Sequence, residues 1–268
     1  MILFLSLLVI IMGYFGLQAY SQAKKYEEST QILVIDKDIS TQAEYQAKRW
    51  AEKLSLGYYE SDKRLLREEI IRVQEEHQFG AKRYTFYVMG ILLVILVSSF
   101  LTDLRLFTFF GALAALVVLY FGLFTPLLTV TIHKEFEYIG DVILSFESKS
   151  LLGSLVKLLE SGEIAVALVI LLFSILIPLF KTLSLMFVAM VVESKFAHGI
   201  VKFFKSIGKW SMLDVFVVAV LLVYLTSSGS DVSHAEIQVG LYFFLAYVIV
   251  SMLVSLSADK MLSSSRSL

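Results

Sequence analysis

The sequence predicts an all-α integral membrane protein with six transmembrane helices: an N-terminal pair, a C-terminal four-helix module, and a helical hairpin outside the bilayer between the first two spans. Three observations carry this. Hydrophobic residues make up 57% of the 268 and mean hydropathy is +0.77, both beyond the soluble range. Several uninterrupted apolar stretches reach the roughly 20 residues that a helix needs to cross hydrocarbon. Only two prolines occur in the whole chain, so little interrupts those stretches.

Charge and cysteine content exclude other classes. A net charge of −1 with no basic tract gives no footing for nucleic acid. The absence of cysteine excludes disulfides, Cys-ligated zinc, iron–sulfur clusters and thiol catalysis.

The first span is residues 1–20, "MILFLSLLVIIMGYFGLQAY". It has no basic start, and Lys24 and Lys25 follow it, which reads as an uncleaved anchor rather than a signal peptide. Residues 21–84 are highly charged. Ala47, Trp50, Ala51 and Leu54 share one helical face, as do Leu66, Ile70 and Val73 after the Gly57 break. Glu68 and Arg72 form an i,i+4 pair on the charged side. Two amphipathic helices packed as a hairpin are expected here, serving either as a solvated spacer or as a docking arm for a partner.

The second span is 84–101 and the third is 107–130, joined by the tight turn "TDLRL". Residues 131–163 begin with strand-like alternation and end in a short amphipathic helix. The remaining spans are 164–192, 212–227 and 239–258. The domain division is 1–104 for the first two spans with their hairpin, 105–260 for the four-helix module, and 261–268 for the tail.

Short-loop Lys/Arg asymmetry sets orientation. Residues 193–211 carry Lys195, Lys202, Lys205 and Lys209 against one acid, and the tail adds Lys260 and Arg266. The 228–238 loop has no Lys or Arg but contains Asp231 and Glu236. Both termini are therefore expected in the cytoplasm, with the 21–84, 131–163 and 228–238 segments outside.

Two polar elements interrupt the apolar pattern. "IPLFK" sets Pro178 and Lys181 inside the fourth span, and "GKWSMLDVF" sets Asp214 just over a turn into the fifth. A charge within a span generally faces the bundle interior, water or an opposite charge. Lys181 lies about 16 Å, eleven residues at the helical rise, from the cytoplasmic end of its span. A Lys181–Asp214 pair is within reach, with Ser211 and Ser184 as hydrogen-bond neighbours. The plainer alternatives are a lysine that snorkels alone and an aspartate that complements its helix dipole. Trp210 reads as an interface anchor, Pro178 and Pro126 as helix kinks, and Gly111, Gly122 and Gly240 as sites of close helix contact.

Other chemistry finds little support. His77, His133, His198 and His234 show no metal-ligand spacing, so no metal or cofactor is expected. No nucleophile–base pair, GxSxG or phosphate-binding glycine loop appears, which argues against an enzyme. No single span shows the polar stripe of a channel.

"GKWSMLDVFVVAVLLVYL" resembles the paraquat-inducible protein A family (PqiA/LetA-like inner-membrane proteins). "LYFGLFTPLLTVTI", "LLESGEIAVALVILLFSILIPLFKTLSLM" with its Pro-x-x-Lys, and "AEIQVGLYFFLAYVIVSMLVSLS" resemble further family segments in order. The likeness covers about residues 105–258, one four-helix module. Family members often have cytoplasmic zinc ribbons built from cysteine pairs, and often two tandem modules. Lacking cysteine, this chain does not take over zinc binding, and a function needing two modules would require a partner or homo-oligomer. The resemblance implies lipid traffic in the envelope of a diderm bacterium, with a bacterial inner-membrane location and a periplasmic hairpin. It implies membrane lipids and a mammalian-cell-entry (MCE) domain protein as partners. The motif positions it points to are Pro178, Lys181, Ser211 and Asp214. The competing expectation is a non-transporting scaffold that anchors a periplasmic partner.

Overall fold

The structure, a computed structural model, describes residues 1–35, 62–98, 102–136, 140–191, 199 and 233–264. Helix α1 (Ile2–Ile35) is apolar as far as Tyr20 and polar beyond it. It does not stop at residue 20, where the first span was expected to end. Residues 17–35 contain neither Gly nor Pro, and the Gln, Lys and Glu residues there are good helix formers, so the polar part continues the same helix. Helix α2 (Asp62–Val97) likewise joins the second expected amphipathic helix to the second span without a break. At 34 and 36 residues, each is about 50 Å long against a hydrocarbon core of about 30 Å. The two pack against each other and rise from the bilayer as one stalk. The first expected amphipathic helix, around Ala47–Leu54, lies outside the described residues.

Helix α3 (Leu104–Phe124) is the hub of the membrane module, packing against α1 and the later helices. The expected third span, 107–130, divides at its end. Pro126 disfavours helix at the residue before it, and Thr125 is extended with φ −79° and ψ 146°. The β-branched run that follows then forms strand β1 (Pro126–Phe136). Pro126 is thus a helix stop, not a kink within a span.

β1 pairs antiparallel with β2 (Gly140–Ser150), with irregularities between Pro126 and Leu128 and between Ile132 and His133. β3 (Ser233–Ile237) pairs with the base of β1, giving the order β2-β1-β3. The alternation after residue 130 foreshadows this small sheet; the other described elements are helical. Helix α4 (Leu151–Glu160) is the short amphipathic helix; Ser150 Oγ caps it by accepting from Gly153 N at 3.0 Å. It ends at Gly162, whose φ of +79° suits a residue without a side chain.

The fourth span contains α5 (Ile164–Ile170), a π-helical turn (Leu171–Leu176) and α6 (Ile177–Met190). The last described helix is α7 (Val239–Ser264). The described residues hold five helices long and apolar enough to span a membrane. The expected span 212–227 lies outside them. The chain is an α-helical multi-pass membrane protein.

Close contacts fix the level of each helix end. A Cβ on Gly240 would fall 2.4 Å from Thr125 O, and one on Gly122 would fall 3.0 Å from Phe244 N, so α3 and α7 touch backbone to backbone. Gly111 receives Val254, where a Cβ would come within 2.7 Å of Cγ2. Ala23 of α1, Ala81 of α2 and Val239 of α7 share one small cluster. The stalk therefore leaves the bilayer on the same side as the sheet.

Candidate functional site

The fourth span carries its own break. Pro178 has no N–H, so the carbonyl of Ser174 loses its usual α-helical donor. The chain widens into the π turn just before it, where Ile177 N bonds to Leu172 O, five residues back. Such turns occur inside helices at functional sites more often than elsewhere.

After the turn, α6 separates cleanly into two faces. Pro178, Lys181, Thr182, Leu185, Val188 and Ala189 are buried. Leu179, Phe180, Leu183, Phe187 and Met190 are exposed and form the lipid-facing side. Lys181 is 6% exposed, so its ammonium points into the bundle and not to lipid. Lys181 Nζ donates to Ser251 Oγ of α7 at 3.5 Å, at the long limit of a hydrogen bond. Ser251 Oγ in turn donates to Val248 O at 3.2 Å.

Beside this contact is a triangle of oxygens. Thr182 Oγ1 donates to Pro178 O at 2.8 Å, and Tyr247 OH donates to the same carbonyl at 2.9 Å. The two hydroxyls lie 3.1 Å apart. They have one proton each, so only two of these three contacts are hydrogen bonds at any instant. The arrangement has alternative proton positions without moving a heavy atom. Ser174 Oγ, 1% exposed, has no hydrogen-bond partner among the described residues. Nearer the other end of the bundle, Thr108 Oγ1 of α3 meets Ser257 Oγ of α7 at 3.0 Å.

The π turn, α6 and α7 thus assemble a buried polar seam that no single span displays. Thr182, Tyr247 and Ser251 were not singled out from the sequence; isolated hydroxyls in apolar helices give no signal of their own. Of the expected site residues, Lys181 and Pro178 are in the seam. Ser184 is half-buried on the flank of α6, and Pro126 starts β1. Asp214, Ser211 and Trp210 lie outside the described residues. Among the described residues no three His, Asp or Glu side chains converge as metal ligands.

The C-terminal end of α6 is held by Arg105. Its Nε donates to Ala189 O at 2.9 Å and its Nη2 to Met190 O at 2.8 Å. A guanidinium satisfies orphan carbonyls there and complements the negative end of the helix dipole.

Comparison with known proteins gives the following. The family model described as Paraquat-inducible protein A matches residues 107–264, more than half of the chain. The "Intermembrane transport protein PqiA" of Escherichia coli is 28% identical over 134 residues, 48% of this chain and 32% of that protein. A "Probable intermembrane transport protein" of Haemophilus influenzae is 27% identical over 119 residues, 42% of this chain and 28% of the relative. The match thus spans a third or less of these relatives' length. No solved structure matches the chain.

Proposed function

The chain belongs to the paraquat-inducible protein A family, and from that premise we propose that it is the inner-membrane subunit of an envelope lipid-transport system. It passes lipid between the inner membrane and a periplasmic MCE-type partner. The names of these relatives support the class of function. The observation that carries the reading is the buried Lys181, turned into the bundle beside a proline-broken helix and a set of exchangeable hydroxyl contacts.

Lys181 and Asp214 form the polar relay in this reading, with Ser211 and Ser184 as its hydrogen-bond neighbours. A coupled Lys–Asp pair inside a membrane shares its titration, so one protonation change biases the bundle between two arrangements. Pro178 and the π turn supply the compliant point about which α6 moves. Lipid approaches from the exposed apolar side, and the sheet end faces the partner. Trp210 anchors the cytoplasmic interface, and both termini are cytoplasmic.

The test is envelope-barrier complementation by Lys181→Met and Asp214→Asn at matched protein levels. Loss in both is expected, together with crosslinking of photoactivatable lipid to positions 174 and 251. Full rescue by both neutral variants rejects the relay.

A second reading is a scaffold for a periplasmic partner. The observation in its favour is the stalk, whose polar part is cross-linked by Gln74 Nε2 donating to Thr30 Oγ1 at 2.7 Å and by His77 Nδ1 and Gln22 Oε1 at 2.6 Å. A scaffold predicts that removing the stalk's outer part abolishes function while Lys181→Met does not.

A further inference from the structure

The stalk brings two basic pairs to either side of one helix contact. α1 and α2 pack together with Gln22 against His77, the side chain of Gln22 against Gly80, and Ala23 in the same cluster as Ala81. The helices run antiparallel, so Lys24 and Lys25 on α1 lie just outward of this contact and Lys82 and Arg83 on α2 just on its bilayer side, and all four are exposed. On α1 the apolar stretch ends at Tyr20, and on α2 it begins at Tyr84. The four cations sit where the helices cross the polar edge of the bilayer.

An aromatic shelf lies directly beneath them. Phe15 is 5.3 Å from Tyr87 and 6.1 Å from Tyr84, ring centroid to centroid. The Arg83 guanidinium is 5.5 Å from the Tyr84 centroid. Phe86 is 77% exposed and faces the acyl region. Tyrosine rings favour the headgroup level, and lysine and arginine stems reach outward from it. Glu27 and Glu28, about one turn further out on α1, are the nearest acids on that helix, and Glu27 is within Coulombic reach of Lys24. Glu236 of β3 lies near Tyr26. Glu75 and Glu76 of α2, both exposed, lie level with Lys24 and Lys25. From Lys25 on α1 and His77 on α2 inward to the bilayer neither helix carries an acid, so the carboxylates lie at or beyond the outer pair and the fixed charges nearest the membrane are these four cations.

We propose that Lys24, Lys25, Lys82 and Arg83 form a binding collar for the phosphates of anionic phospholipids in the surrounding bilayer. Juxtamembrane cations of this kind attract anionic headgroups, each worth about a fivefold change in association. Ala23 and Ala81, next to the four cations, cluster with Val239 at the start of α7, so the collar concentrates acidic lipid next to the module. The inference is independent of transport and of which way the chain faces, since it concerns only binding at this level.

The experiment uses the full chain in lipid nanodiscs with spin-labelled phosphatidylglycerol or phosphatidylcholine, read by electron paramagnetic resonance. The parent protein should hold phosphatidylglycerol at least about fivefold more strongly, the factor one cation supplies, with the preference shrinking as salt is added. Combining Lys24→Gln, Lys25→Gln, Lys82→Gln and Arg83→Gln should remove the preference. The control replaces Lys63, Arg64, Arg67 and Arg72, further out on α2, with Gln and should retain it. Each basic pair replaced alone should give an intermediate loss in a folded protein. An unchanged preference in the collar variant, or an equal loss in the control, overturns the proposal.

Discussion

Lys181 shows how far a single residue can be read before the fold is known. An ammonium in an apolar run must find a cavity, a partner or the interface, and the sequence leaves those choices open. The division of α6 into a buried face and a lipid face decides the direction. Tyr247 and Ser251 had no such signal, since their importance arises only from where α7 meets α6. Tyr247→Phe removes the shared proton of the triangle but leaves Thr182 bonded to Pro178. We expect a loss of about 1 kcal/mol, measured by thermal unfolding in detergent. The glycines make a sharper contrast. Gly240→Ala would force a Cβ against backbone at Thr125 and Pro126 and should cost more than about 2 kcal/mol. Gly13→Ala, with nothing within 4 Å, should be neutral or stabilising by up to about 1 kcal/mol.

Element boundaries followed local chemistry where that chemistry was strong. The two prolines act differently because their surroundings differ. Pro126 lies where a β-branched run can continue as strand, so it ends α3. Pro178 lies in an apolar helix that lipid and neighbouring helices keep helical, so it produces a π turn. Pro178→Ala restores the missing N–H and should let the turn tighten to regular α-helix, rotating the preceding segment relative to Lys181. The chain has no cysteine, so an introduced pair reports without background. A short bismaleimide should join Ser174→Cys to a cysteine at Tyr247 less efficiently, by several-fold, when Pro178→Ala is added. Arg105→Ala should lose about 1 kcal/mol and speed amide exchange in the last turn of α6, while α7 is unaffected. The polar half of α1 departs from the sequence expectation, because a change from apolar to charged residues is not by itself a change of structure. Helix propensity and the absence of Gly or Pro continue α1 through that change.

At the scale of the molecule, the module and the stalk share one outer face, marked by the sheet, the start of α7 and the Ala23–Ala81 contact. The proposed orientation puts that face in the periplasm. Cysteine introduced at exposed Ser161 should react with a membrane-impermeant maleimide in intact spheroplasts, and cysteine at exposed Ser263 only after permeabilisation. The reverse pattern would invert the orientation and place the stalk in the cytoplasm.

From its residues alone, the chain determined that it is a helical membrane protein, where most apolar spans run, and that Pro178 and Lys181 are exceptional. Those properties follow from hydropathy and local backbone chemistry, which act over a few residues at a time. The tertiary structure alone decided that Lys181 faces inward, that hydroxyls from separate helices converge beside it, and that β3 completes a sheet begun a hundred residues earlier. Such contacts depend on which helix faces touch and at what level, and those choices are set by the packing of the whole chain.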